Sequence, residues 1–185
     1  GLTLHALSQR RADFIAGCGW GDSTDIARGF SERDAMLARY HDYDRVVLWF
    51  EHDLYDQLQI LQILDWFHQQ HEAASALSMI CTEHYLGMLS PQQMAAMTQY
   101  EQPVSAAQLA LAHRAWQAFR APEPEAWFDL LTTDTSELPF LEGAVRRQLQ
   151  EYPDCHSGLS RTAQTALQLV AEGENRPGRV FAACI

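Results

Sequence analysis

Glutamate, histidine and aspartate stand side by side at Glu51-His52-Asp53, directly after the apolar run Val46-Val47-Leu48-Trp49-Phe50. Carboxylates and imidazole in that combination can move protons as general base and acid, or hold a divalent cation. Asp56 and Gln57 follow within a helical turn, and a second pair, Glu83-His84, follows Cys81-Thr82. If the segments before the two Glu-His pairs are neighbouring strands, both pairs open onto one edge of a sheet, where α/β folds bind ligands. We take Glu51, His52, Asp53 and Asp56 as candidate catalytic residues. Gln57, Glu83, His84 and Arg45 are candidate ligand contacts, with arginine supplying charge for an anion. Each also has a plainer reading. Asp53 suits a helix N-cap, and Asp56 suits the first turn, where the helix dipole favours a carboxylate. Glu51 and His52 can bond backbone where the chain turns, and Glu83 and His84 can be solvated loop residues. The spacing matches no established ligand motif, so no metal is assigned.

The elements that must position these residues are legible around them. Residues 45–50 are β-favouring and almost wholly apolar, which predicts a strand buried on both faces. Asp53 predicts the cap of a helix to about Gln70, with Leu54, Leu58, Leu61, Leu64 and Phe67 recurring at spacings of three and four. Leu77 to Thr82 reads as a second strand. Strand, helix, strand is the pattern of a right-handed parallel β-α-β unit. Before it, Leu4 to Ile15 predicts a helix stopped at Gly17, and Ser31 predicts the cap of a short helix over 35–40. Gly17-Cys18-Gly19-Trp20-Gly21-Asp22 follows a helix rather than a strand, so it reads as a loop and not a phosphate cradle. After it, Ser90-Pro91-Gln92-Gln93 and Ser105-Ala106-Ala107-Gln108 are capping boxes. Short helix over 125–131, helix over 139–152 and a Ser160-capped helix to Glu172 complete the reading, with residues 180–184 as a possible strand. The boundary is placed near Pro122, giving an α/β domain over 1–121 and a helical portion over 122–185.

Composition narrows the classes. The chain has 185 residues, 47% of them hydrophobic and 20% charged, which describes a globular protein. No apolar stretch reaches the ~20 residues of a membrane span. All 13 basic residues are arginine, against 24 acidic ones, for a net charge of −11. This argues against general affinity for nucleic acid or anionic membrane, which rests on positive charge. The absence of lysine removes Schiff-base chemistry and a P-loop. Cys18, Cys81, Cys155 and Cys184 form no C-x-x-C pair. With no secretory signal after Gly1, a reducing cytoplasm is the expected setting. Gly1 in place of methionine suggests that the chain starts inside a longer one.

Other features were weighed. His68 and His71, with Glu72 beside them, could share a metal, but histidine near a helix C-terminus is favourable for dipole reasons alone, and that reading is preferred. Trp49, Trp66, Trp116 and Trp127 fall on apolar faces as core candidates, and Arg146-Arg147 reads as a surface charge pair. Gly158-Leu159-Ser160-Arg161-Thr162, with Ala163, Ala166, Leu167 and Val170, resembles the opening of a helix-turn-helix unit. Its few basic residues favour a structural helix.

The run Val47-Leu48-Trp49-Phe50-Glu51-His52-Asp53-Leu54-Tyr55-Asp56-Gln57-Leu58-Gln59 resembles the hallmark of a bacterial family of uncharacterised proteins, number 1835 in the domain-of-unknown-function series. The segments 106–112, 116–122, Leu138-Pro139-Phe140-Leu141 and 158–162 are similar to stretches that follow it in that family. The resemblance covers most of the chain and implies no activity, cofactor or catalytic residue set.

The expected fold is α/β, with a small parallel sheet holding a β-α-β unit, followed by a mainly helical C-terminal portion. The expected function is binding of a phosphate- or nucleotide-like small molecule, or a hydrolase-type reaction, at the Glu51–Asp56 cluster. The alternative is a regulatory helix-turn-helix-like module that meets DNA or a transcription protein. No motif names a cofactor or an oligomeric state.

Overall fold

The computed structural model describes residues 2–70 and 76–184, and in it the two apolar runs become the parallel pair of a small mixed sheet. Strand β1 is Val46–Glu51, β2 is Leu77–Thr82 and β3 is the two-residue Gln102–Pro103, in the order β1-β2-β3. β3 runs antiparallel to β2, with Ser78 opposite Pro103 and Met79 opposite Gln102. Proline is tolerated there because an edge strand needs no outward N–H donor. The central position falls to β2, which is buried at every residue except Cys81. β1 is an edge strand with Phe50 as its one buried residue. The expectation of a β1 buried on both faces is therefore corrected. Apolar composition alone does not tell an edge strand from a central one.

Helix α3 (Leu54–His68) connects the parallel strands and starts as predicted, the Asp53 carboxylate accepting from the Tyr55 and Asp56 N–H groups. Ile60, Leu61, Leu64 and Phe67 lose all solvent exposure on it. They meet helices α5 (Ala106–Phe119) and α7 (Leu141–Leu149). Leu109, Leu111, Ala112, Ala115 and Trp116 of α5, with Leu141, Ala144 and Val145 of α7, close this core. Full burial of each large side chain contributes about 1.5–3 kcal/mol before entropy is charged against it. Of the four tryptophans expected in the core, Trp116 and Trp127 are core, whereas Trp49 and Trp66 are half-buried.

Both capping boxes form. Ser90 opens α4 (Pro91–Ala96) and Ser105 opens α5. Beyond α6 (Glu125–Asp129), Ser160 caps α8 (Arg161–Ala171), and Gly173 takes φ +95° to end it. Its left-handed backbone lets Glu174 N–H reach the Leu169 carbonyl, closing the helix end. The final segment is helix α9 (Pro177–Cys184), not a strand. Pro177 presets the first helical φ, and this outweighs the β preference of Val180 and Phe181. The described residues are 62% helical, dominated by helices in the C-terminal part.

The chain divides into two compact units, Gly1–Val46 with Ser75–Leu77, and Val47–Ala74 with Ser78–Ile185. The helices on both sides of Pro122 belong to the second. In the first, α1 (Leu4–Gly17) packs on α2 (Ser23–Ala38), burying Ser8 and Ala12. α1 stops at Gly17 as expected, with Cys18 as its C-cap and the left-handed turn beyond it at Gly19, φ +72°. One sequence expectation changes. α2 begins at Ser23 because the Asp22 carboxylate caps it, eight residues before the expected Ser31.

Candidate functional site

β1 ends at Glu51 and α3 begins at Leu54, so His52 and Asp53 form a two-residue corner. Such a corner leaves backbone donors and acceptors without strand or helix partners. The cluster's side chains fill that need. The Asp56 Oδ2 accepts the Glu51 N–H at 2.6 Å, while Asp53 Oδ1 accepts the N–H groups of Tyr55 at 2.8 Å and Asp56 at 3.0 Å. Glu51 Oε1 accepts the Leu86 N–H at 2.7 Å, tying the corner to the loop after β2. Gln57, expected on the open edge, is buried beneath it. Its amide donates to the Glu51 carbonyl at 2.7 Å and to Cys81 Sγ at 3.4 Å. Burial pushes the Cys81 thiol above its ordinary range, with the Gln57 hydrogen bond opposing. Cys81 is accordingly a packed thiol rather than a nucleophile.

His52 differs from its neighbours. Its ring lies 5.1 Å from that of Tyr85 and 6.1 Å from that of Phe140, centroid to centroid. Its Nδ1 is buried with no hydrogen-bond partner. Such an atom costs about 1–3 kcal/mol and calls for a reason. The ring borders a cleft of about 270 Å³ lined by His52, Asp53, Tyr55, Tyr85, Ala144 and Arg147, among others. Tyr55 and Tyr85 are exposed at 58% and 40%.

Arg147 was the residue least visible in the sequence. It is not a surface charge: its side chain is 15% exposed, whereas Arg146 is an open partner of Glu142. The Arg147 guanidinium donates to Glu151, to Thr162 Oγ1 at 3.0 Å and to the Cys184 carbonyl at 2.7 Å. Thr162 in turn donates to Glu151 at 2.6 Å. Burial pushes the Glu151 carboxyl upward, but the Thr162 hydroxyl and the Arg147 charge outweigh it, and Glu151 ends below the ordinary carboxylate range. A guanidinium carries five N–H donors, and these three bonds use three of them. A sequence signal did exist: Ala144 and Arg147 are three apart on α7, hence on one face.

The other expected residues lie elsewhere. Glu83 and His84 stay exposed, and the His84 N–H is satisfied by Thr82 Oγ1 at 3.1 Å. From that loop it is Tyr85 that reaches His52. Arg45 precedes β1, at the end opposite Glu51, and lines a groove of the first unit with Met36 and Tyr43. His71 and Glu72 lie outside the described residues. In the tail, Arg161 donates to Gln150, and Arg176 and Arg179 pair with Glu174.

Sequence reasoning singled out His68 but missed the polar cluster it joins. Asp65 on α3, 5% exposed, meets His113 Nδ1 on α5 at 2.6 Å, and its other oxygen accepts from Gln69 at 3.1 Å. His68 stacks on His113 with ring centroids 4.8 Å apart. Asp65 and His113 are 48 positions apart, and each is a single polar residue on an apolar helix face, so neither stood out.

Among the described residues no three metal-binding side chains converge, and no helix is long and apolar enough to cross a membrane. No protein-family model, curated protein or solved structure matches the chain.

Proposed function

We propose that the cleft beside His52 binds a small anionic molecule with a flat ring, of mononucleotide type. The observation that carries this is the unpartnered, buried His52 Nδ1 in the cleft wall. A ring held at that cost, when a phenyl ring would pack as well, is retained for what its other nitrogen meets. The remaining wall supports the same reading. Tyr55 and Tyr85 line it with exposed aromatic rings suited to stacking. Arg147 lines it with a guanidinium suited to a phosphate. Asp53 uses one oxygen as a helix cap and keeps the other for a hydroxyl. About 270 Å³ is at the low end of ligand pockets and suits a mononucleotide rather than a dinucleotide.

The chemistry within reach is limited by the same contacts. Glu51, Asp53 and Asp56 each hold a backbone N–H through one oxygen, whereas His52 Nδ1 has no partner, so His52 is the group least committed to the fold. A hydrolase-type reaction would rest first on that imidazole, and binding is the stronger part of the proposal. Membership of family 1835, on the run from Val47 to Gln59, belongs to the same proposal and adds no substrate.

The test is a thermal-shift and calorimetric titration of the full chain with AMP, ribose 5-phosphate and inorganic phosphate. Wild type is compared with Tyr55→Ala, an exposed change, and His52→Phe, which keeps a ring. AMP should raise the melting temperature and bind most tightly, and both variants should weaken it at least tenfold. No shift with any probe, or equal binding by both variants, would overturn the reading.

A further inference from the structure

The Asp65–His113–His68 cluster lies outside the His52 cleft and stands independently of the reading above. A carboxylate only accepts hydrogen bonds, so the Asp65 contact at 2.6 Å puts the neutral His113 proton on Nδ1. The lone pair is then on Nε2. The His113 side chain is 39% exposed, and Gln69 holds the second Asp65 oxygen so that the carboxylate stays in place. A buried carboxylate fixing the tautomer and direction of an exposed imidazole is the arrangement found behind metal-ligating histidines.

The second imidazole is at the right distance. A metal ion ~2.1 Å from a ring nitrogen is ~3.2 Å from that ring's centre. Two rings sharing one ion at a near-tetrahedral angle therefore have centres ~5 Å apart. The His68 and His113 centroids are 4.8 Å apart, with planes 28° from parallel. His68 is exposed, and the rotation of its ring about Cβ–Cγ is broad, so its nitrogen can turn toward the same point.

We infer that His68 and His113 form a two-histidine site for a borderline divalent cation, Zn²⁺ in the first instance, bridging α3 and α5, with Asp65 as the positioning residue behind His113. Imidazole pairs suit zinc, copper and nickel rather than magnesium or calcium. With two protein ligands the remaining positions belong to water, so the site is exchangeable rather than structural.

The experiment is calorimetric titration of the full chain with ZnCl₂, beside His68→Ala, His113→Ala and Asp65→Asn, with circular dichroism to check the fold. Other exposed histidines and the thiols of Cys18 and Cys155 contribute equally to all four proteins and subtract out. Wild type should show one Zn²⁺ event beyond this common background, and both histidine variants should lose it. Asp65→Asn should keep it with 10–100-fold weaker affinity. His68→Ala changes an exposed side chain, so it keeps the test valid should His113→Ala fold poorly. Zinc binding by His68→Ala as by wild type, or undiminished binding by Asp65→Asn, would overturn the inference.

Discussion

Replacing His52 by phenylalanine should make the protein more stable and less able to bind. The buried Nδ1 has no partner, which costs about 1–3 kcal/mol in the native state. Phenylalanine removes that atom and keeps the ring contacts with Tyr85 and Phe140. The larger ring adds strain of up to about 1.5 kcal/mol, limited because one side of it borders the open cleft. The net gain is about 1 kcal/mol, or about 2–4 °C in melting temperature for a chain of this size. His52→Ala is the control. It removes the same nitrogen but also a half-buried ring, so it should lose roughly 1–2 kcal/mol. The assay is urea denaturation followed by tryptophan fluorescence, with thermal melts alongside. If His52→Phe falls below wild type by more than about 1 kcal/mol, or matches His52→Ala, then Nδ1 is satisfied in solution. The cleft would then lose the observation on which its function rests.

Two further outcomes follow from the same contacts. Asp53→Ala should cost about 1 kcal/mol by urea denaturation, whereas Asp53→Ser, which can cap in the same way, should lose only a few tenths; equal losses would mean that the carboxylate does more than cap α3. Glu151 is held below its ordinary pKa, so its contribution to stability is complete above the unfolded carboxylate value and fades as pH falls through the lower folded one. Melts between pH 7 and pH 3 should show a shallower acid slope in Glu151→Gln, and parallel slopes would remove the Arg147–Glu151–Thr162 network as its cause.

Local chemistry was readable without coordinates wherever it depended on neighbours in the chain. The Asp53 cap, the boxes at Ser90 and Ser105, the span of β2 and the apolar stripe of α3 are set by spacings of two to four residues, and a single sequence displays those in full. Failures came where a local preference met a competing partner. Val180 and Phe181 favour strand, yet they sit in a helix begun by Pro177 and closed by Arg147 on the Cys184 carbonyl. Gln57 has the composition of an open site residue, yet it is turned under to serve the Glu51 carbonyl.

What the sequence determined by itself was the corner: an apolar run, then Glu51-His52-Asp53, then a helix; that β1 and β2 are neighbours came from the sheet. Only the tertiary structure decided which of those groups are free. Three carboxylates each accept a backbone N–H, Glu83 and His84 are exposed and outside the cleft lining, and His52 is left beside Tyr85 and Arg147. The reason is physical. Whether a polar group is spent on the fold or left for a ligand depends on which donors and acceptors approach it, and some of these come from far along the chain: the Leu86 N–H at Glu51 is 35 positions on, and His113 at Asp65 is 48 positions on.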